Sequence, residues 1–366
     1  MPASAIGNGQ LTLLDWAKRV DPDGKIGSLP IVEILNRENS IVQDASFVEG
    51  NTTTGLLTTL RTGLPAIAFR QLNAGIQPSK STTKQIHFTA AWMEGLGKVD
   101  ERLVSMASDG PGLRLSEVSP FMESMGQTIA STMFYGDVRV NPDRFTGLSA
   151  YYAALNAGYQ RNPEALVNPS SSLPDSGRNV FDCSTNSEGE TFGDPTAGYN
   201  TSLWLVCWGE QSITAFFPKG SKAGVSHEDL GRWLVDDGRG IGAQYLAWVD
   251  IYRANVGLAP RDWRQACRGA NIDTNALQSA GDDNDQSANL LKNMIQMKNY
   301  IQNPNAGRMF FYCNRVVHTY LEIKAMNKFN NMLTNERLEN GTTLTKFAGI
   351  PIRRCDAILN TETQVS

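Results

Sequence analysis

The chain has 366 residues, 41% of them hydrophobic, with 33 Lys and Arg against 37 Asp and Glu for a net charge of −4. That size and hydrophobic share support a sizeable core and exclude wholesale disorder. The mild acidity, with no long basic run, excludes a grip on nucleic acid that works mainly through phosphates.

No apolar run reaches the roughly twenty residues of a membrane span, so no membrane partner is expected. The start, MPASAIGNGQLTLLDW, lacks the basic opening and continuous apolar centre of a signal peptide. The cysteines Cys183, Cys207, Cys267, Cys313 and Cys355 are odd in number and widely spaced. Free thiols made in a reducing cytoplasm are the plain reading.

Residues 1–50 read as an arm with short helices, Leu11 to Val20 and Ile31 to Asn36, split by the turn Asp21-Pro22-Asp23-Gly24. Their apolar load is thin for a domain, so the arm must lie on its own body or on a neighbour. Residues 50–95 change character. LLTTLRTGL, AIAFRQLN and TTKQIHFTAAW are rich in Thr, Ile and Phe and predict a long β excursion of two or three strands. Arg61, Arg70, Lys80 and Lys84 are spread along it. An isolated hairpin is marginal in water, so it needs a surface, either its own domain or another copy. Trp92 to Ala107 fits strand or helix.

Leu113 to Gly136 predicts the longest helix of the first half. Val118, Met122, Met125, Ile129 and Met133 fall at the spacing of one buried stripe. Ser116 or Ser119 is expected as its cap, Pro120 at its first positions, and Gly136 as a left-handed stop.

Residues 137–200 are turn-rich, and the acidic residues Asp182, Glu188, Glu190 and Asp194 lack the tight spacing of metal ligands. Thr201 to Trp208 and Ser212 to Phe217 predict a hairpin around Gly209-Glu210-Gln211, followed by a loop, PKGSKAGVSHEDLG. AQYLAWVDIYRANV and LAPRDWRQACRGANI predict a second hairpin joined near Gly257. The last segment reads as mixed α/β. A helix follows Asp282, Asp283 and Asp285, RMFFYC is a strand, Asn314 caps RVVHTYLEIKAMNK, and two closing strands flank Gly349.

The sequence carries few catalytic or metal-binding patterns. His87, His227 and His318 are far apart, and no H-E-x-x-H, metal-type Cys/His spacing or G-x-S-x-G is present. His227-Glu228-Asp229 is expected as a loop turning into a helix. PKGSKAG and GRGIG lack phosphate-loop spacing and read as turns, and the Asp282 cluster lacks the glycine and closing glutamate of a calcium loop. The expectation is therefore no enzyme: no catalytic residue, no metal and no cofactor. The seven Trp and ten Tyr, together with the arm and ribbon, fit a protein whose stability is shared across subunit contacts.

A string of motifs then runs in order along the chain: DWAKRVDPDG, IVEILNRENSIVQDASFVEGN, TGLLTTLRTGLP, AFRQLNAGIQPSKSTTKQ, RLSE, FYGD with NPDRFTGL, SLWLVCWGEQSITAFFPKGSKAG with HEDLG, RDWRQACRGANI, and FYCNRVVHTYLEIKAMNK with FAGIPIRRCDAILNTE. In these the whole chain resembles the major capsid proteins of tailed bacteriophages, in particular those of podophages related to the Bordetella phage group.

The resemblance implies an α+β, Hong Kong 97-like fold. Its parts would be an N-terminal arm (1–45), an extended β loop (46–95) and a peripheral domain (96–145) with a spine helix (114–136). An axial domain with the remaining peripheral strands would fill 146–366. In the prototype, a unit like FFYCNRVVHTYL…GIPIRR precedes strands like RDWRQACRGANI, so a rearranged strand order is expected here.

The implied function is a major capsid protein that assembles into pentamers and hexamers of an icosahedral shell around double-stranded DNA, bound without sequence specificity. The implied partners are other copies, a separate scaffold protein, a portal at one vertex and a cementing or decoration protein. The place is the virion, assembled in the bacterial cytoplasm. In the extended loop, Arg61, Arg70, Lys80 and Lys84 are the expected charged contacts to a neighbour, and Phe69, Phe88 and Trp92 the apolar ones. Some capsid proteins of this fold join a loop lysine to a neighbour's asparagine, for which Lys80 or Lys84 with Asn360 are the candidates. The competing readings are another virion part or, further off, a cytoplasmic hydrolase.

Overall fold

A computed structural model describes residues 39–73, 75–107, 109–155, 179–184, 198–221, 223–236, 242–279, 285–325, 333–337 and 343–365. The predicted arm helices, Glu188, Glu190 and Asp194, most of GRGIG, and Asp282 and Asp283 lie outside them. The elements in order are α1 (Ser40–Asp44), β1 (Phe47–Glu49), β2 (Gly55–Gly63), β3 (Thr82–Thr89), β4 (Ala91–Asp100), α2 (Glu101–Met106), α3 (Gly110–Tyr135) and α4 (Leu148–Tyr151). Then come β5 (Val180–Asp182), β6 (Asn200–Trp208), β7 (Ile213–Phe217), β8 (Val225–Asp236), β9 (Gln244–Pro260), β10 (Ala266–Asp273), α5 (Thr274–Ser279) and α6 (Asp285–Tyr300). β11 (Arg308–Cys313), α7 (Arg315–Ala325), β12 (Leu333–Arg337), β13 (Thr343–Phe347) and β14 (Ile350–Arg354) close the chain.

The chain divides into two compact units. One contains Glu38–Ala91, Ala130–Ser221 and Val256–Ser366. Its centre is β6, whose two edges are taken by antiparallel β10 and antiparallel β11. β5 lies parallel outside β10, and β14 lies parallel outside β11, followed by β13 and β12. β6 is buried along its whole length. Its Leu203 and Leu205 face a core with Leu290, Met294 and Met297 of α6 and Val317 and Leu321 of α7. On the alternate positions, Trp204 packs against the rings of Phe134 and Tyr152, each with its centroid 6.0 Å away. Two covered faces explain why TSLWLVCW is a nearly continuous apolar run. Asn314 caps α7 as expected, its Oδ1 accepting from the Val317 N–H at 2.8 Å.

The expected hairpin of Thr201–Trp208 with Ser212–Phe217 does not form. β7 meets β6 at a single parallel pair, Trp208 with Ile213. Both edges of β6 are already occupied, so no edge is left for a hairpin partner. β7 instead runs parallel to β1 and antiparallel to the end of β9.

The other unit contains Trp92–Ile129 and Lys222–Asn255. Here VSHEDLG, expected as a loop, is part of strand β8, and the long hairpin is β8–β9. Gly257, expected at a turn, lies inside the continuous β9. β8 is exposed at nearly every position, and such a ribbon has no buried face to impose a period of two on its sequence. Trp92 to Ala107 proves to be both alternatives in turn, β4 and then α2, whose cap is the Asp100 carboxylate accepting from the Arg102 N–H.

α3 begins a turn earlier than expected. Asp109 Oδ1 accepts from the Gly112 N–H at 2.9 Å, so Asp109 caps it rather than Ser116 or Ser119, and Pro120 falls inside the helix. Met125, Ile129 and Met133 are buried as predicted, but Met122 is exposed. Phe121 takes the inward position next to it and stacks on Tyr252 with centroids 5.0 Å apart. Gly95 and Gly97 on β4 leave room for that ring, since a Cβ on either would stand 3.2 or 3.5 Å from it. Val118 is in the helix, with its side chain outside the described residues. Gly136 ends α3 without a left-handed backbone. Glycine is needed there because a Cβ would lie 2.2 Å from the Phe145 carbonyl oxygen.

Candidate assembly surface

β2 and β3 pair from Gly55 with Thr89 to Gly63 with Thr82 and form a two-stranded sheet of their own. Among the described residues of this hairpin, only those at the root are buried. Leu56 and Phe88 pack with Phe216 and Ala259, and Ile86, Ala90 and Tyr151 lie against them. Burying two such side chains contributes about 1.5–3 kcal/mol each, which anchors the ribbon to its own unit. Phe88, at 5% exposure, is therefore spent inside its own protomer and is not a contact offered to a neighbour.

Beyond the root the picture reverses. Residues 64–71, which include AIAFR, form no strand. Leu64, Ile67, Phe69, Leu72 and Ile76 are all exposed, Phe69 fully so. The one side-chain hydrogen bond described within this tip is from Ser79 Oγ to the Ala66 carbonyl at 2.7 Å. Arg61, Arg70, Lys80 and Lys84 are exposed too, and from Gly50 to Met93 the sequence contains no Asp or Glu. The tip thus combines five unburied large apolar side chains with an unbalanced positive charge. An apolar set of that size marks an interaction surface. Trp92, at the start of β4, is 65% exposed. Asn360 is exposed, and its side chain accepts a hydrogen bond from Asn314 of the same chain.

Sequence reasoning missed a polar node in the β8–β9 unit. Arg114 on α3 reaches Asp229 at 2.8 Å and Asp250 at 2.9 Å, with its guanidinium 4.5 Å over the Trp248 ring. His227 Nε2 lies 2.8 Å from Asp250 Oδ1, and the imidazole stacks on Tyr252. His227 is on a strand, not in a turn before a helix. Alternation puts it on the same side as Asp229 and leaves Glu228 to pair with Arg253. Registration of β8 on β9, the signal that brings these residues together, is invisible in a polar ribbon. Among the described residues, no group of three His, Cys, Asp or Glu could hold a metal, and no helix is long and apolar enough to cross a membrane.

The family model for major capsid protein GP7 matches residues 21–172 and 186–366. The chain belongs to this family of phage major capsid proteins. A chain from the structure of bacteriophage Epsilon15 is similar over 99% of both chains, with 29% identity and a TM-score of 0.73. The capsid of a native GTA particle is 14% identical over 69% of this chain and 95% of that one, with a TM-score of 0.42. The capsid of bacteriophage JBD30 is 10% identical over 89% and 93%, with a TM-score of 0.46. No curated protein matches the chain. The architecture is the expected α+β, Hong Kong 97-like capsid fold, and the function is that of a phage major capsid protein that forms the icosahedral shell.

Proposed function

We propose that the shell is built from pentamers and hexamers of this capsid protein, and that the β2–β3 hairpin of each copy lies on a neighbouring copy. The observation that carries this is the hairpin tip: Ile67, Phe69 and Leu72 are left exposed by the described residues, while the root packs on Phe216 and Ala259. A head-to-tail contact of this kind closes into a ring when its rotation permits. Phe69 and Trp92 serve as the apolar contacts, with Arg61, Arg70, Lys80 and Lys84 as the charged ones. Phe88 is withdrawn from that set to the root.

Residues 1–45 act as the arm, 46–95 as the extended loop, and 96–145 as a peripheral domain around the spine helix. The peripheral strands contributed later in the chain are β8 and the first part of β9, which cluster with the early turns of α3. The rest of 146–366 serves as the axial domain. A separate scaffold protein guides assembly in the host cytoplasm, a portal occupies one vertex, a cementing protein decorates the outside, and the packaged DNA is held without sequence reading. The protein acts as a structural subunit and not as an enzyme.

The experiment is electron microscopy of the expressed protein with and without residues 60–80. The full chain, alone or with scaffold, forms shells; the truncated chain stays soluble and forms none. Normal shells from the truncated chain would refute the reading.

A further inference from the structure

The hairpin leaves its unit through a short, closely bonded passage. β1 ends with Glu49 opposite Phe217, and the Gly50 N–H then donates to the Phe217 carbonyl at 2.7 Å. Thr52 and Gly55 close a turn, with the Thr52 N–H 3.2 Å and its Oγ1 2.9 Å from the Gly55 carbonyl. The Lys219 N–H donates to the Thr52 carbonyl at 3.1 Å. Backbones crowd here: a Cβ on Gly50 would stand 2.5 Å from the Gly55 carbonyl oxygen, and one on Gly55 1.9 Å from that of Phe88.

Asn51 sits in the middle of this passage with its side chain turned onto β2. Its Nδ2 donates to the Leu57 carbonyl at 2.7 Å, and its Oδ1 accepts from the Leu57 N–H at 2.7 Å. A side-chain amide held at both ends in this way copies the peptide of a neighbouring strand. Leu57 stands opposite His87 in the antiparallel ladder, and because Asn51 takes both its polar groups they point away from β3. Asn51 therefore closes the outer edge of β2 at the first residue beyond the buried Leu56. The apolar root holds the ribbon against Phe216 and Ala259, and the Asn51 amide fixes its rotation about that contact.

We propose that Asn51 is a positioning residue that sets the direction in which the hairpin leaves its protomer, and with it the angle at which one copy meets the next. This rests on the reading that the hairpin lies on a neighbouring copy. The leverage is geometric. Eight residues of strand extend about 27 Å, so a rotation of about 10° at the root moves the tip by roughly 5 Å, the width of a side chain. Two exposed hydrogen bonds add little to the stability of the whole chain, so the effect of losing them is concentrated in direction.

The test uses full-length N51A and N51D, with the truncation of 60–80 alongside. N51A removes both bonds, and N51D sets a carboxylate oxygen against the Leu57 carbonyl. Both variants should melt within about 3 °C of the parent as unassembled protein. Both should lose shells of normal size in favour of misshapen or off-size particles. Normal shells from N51A and N51D overturn the proposal. So does a melting loss as large as that of the core substitution Leu203→Ala, which would make Asn51 an ordinary folding residue. If the truncated chain forms no shells while N51A shells are normal, only this inference falls. If the truncated chain forms normal shells, the reading beneath it falls.

Discussion

Arg268 and Glu362 form an ion pair at 2.8 Å in which neither side chain is more than 6% exposed. Arg268 Nε also donates to Ser202 Oγ at 3.0 Å and Nη1 to the Tyr152 carbonyl at 3.0 Å, and the guanidinium lies 5.0 Å over the Trp204 ring. Glu362 accepts from the hydroxyls of Ser202 and Tyr135 as well. Burial first, and then the charge of Glu362, push the Tyr135 hydroxyl up, so it remains a donor. The pair fastens the last described residues to the central sheet, helped by Asn271, whose side chain bonds both the N–H and the carbonyl of Val365. Removing one partner of such a pair leaves a buried charge alone and costs about 3–5 kcal/mol. Glu362→Ala should therefore lower the urea midpoint strongly, and the double change R268M/E362L should cost less than the sum of its parts. A loss below about 1 kcal/mol for Glu362→Ala would contradict this.

Gly257 passes directly beneath Phe216, and a Cβ there would stand 2.4 Å from the ring. Phe216 is also the floor on which Leu56 and Phe88 rest. Gly257→Ala should destabilise the chain by about 1–3 kcal/mol and loosen the hairpin root. Faster amide exchange at Leu56 and Phe88 than in the β6 core is the expected readout; unchanged exchange at both sites would dismiss the link.

Asp229 gives a pH dependence of known sign. The hydrogen bond from Arg114, followed by the Gly231 N–H, holds its carboxyl below the usual carboxylate range. A group whose pKa is depressed on folding contributes stability above its unfolded value near 4, and that contribution is lost as pH falls through the folded value. The melting difference between the parent and Asp229→Asn should therefore be constant near neutrality and shrink below about pH 4. A difference that grows as the solution is acidified would show that Arg114 does not hold this carboxylate.

All five cysteines are buried and free. Burial pushes the Cys183 thiol up to about 12 and raises Cys267 and Cys313 as well. The native protein should resist alkylation at neutral pH and expose all its thiols only on unfolding. One rapidly alkylated cysteine in the folded chain would contradict that.

What the sequence shows plainly is whatever carries a periodic apolar signal. The stripe of α3 is legible at Met125, Ile129 and Met133 because one face of a long helix is covered. It fails at Met122 because the covered face turns to Phe121, whose partner Tyr252 lies on a distant strand. Asn314 is legible as a cap because capping is local. The β8 strand is not, since both its faces meet solvent. The β6–β7 hairpin is misread because edge occupancy by β10 and β11 is a long-range fact. In the hairpin, the cationic tip is visible from composition, but the division between a buried Phe88 and an exposed Phe69 depends on where Phe216 and Ala259 fold. Asn51 leaves no trace, because a lone asparagine in a turn-rich stretch has many possible roles.

In the assembled shell the exposed tip of each hairpin should be covered by another copy. The most direct measurement is a cryo-electron microscopy map of assembled particles at a resolution that shows side chains. The expected map shows Ile67, Phe69 and Leu72 in apolar contact with a neighbouring subunit, and Arg61, Arg70, Lys80 or Lys84 near its acidic side chains. A tip that lies in solvent, or folds back on its own protomer in the closed shell, would contradict it.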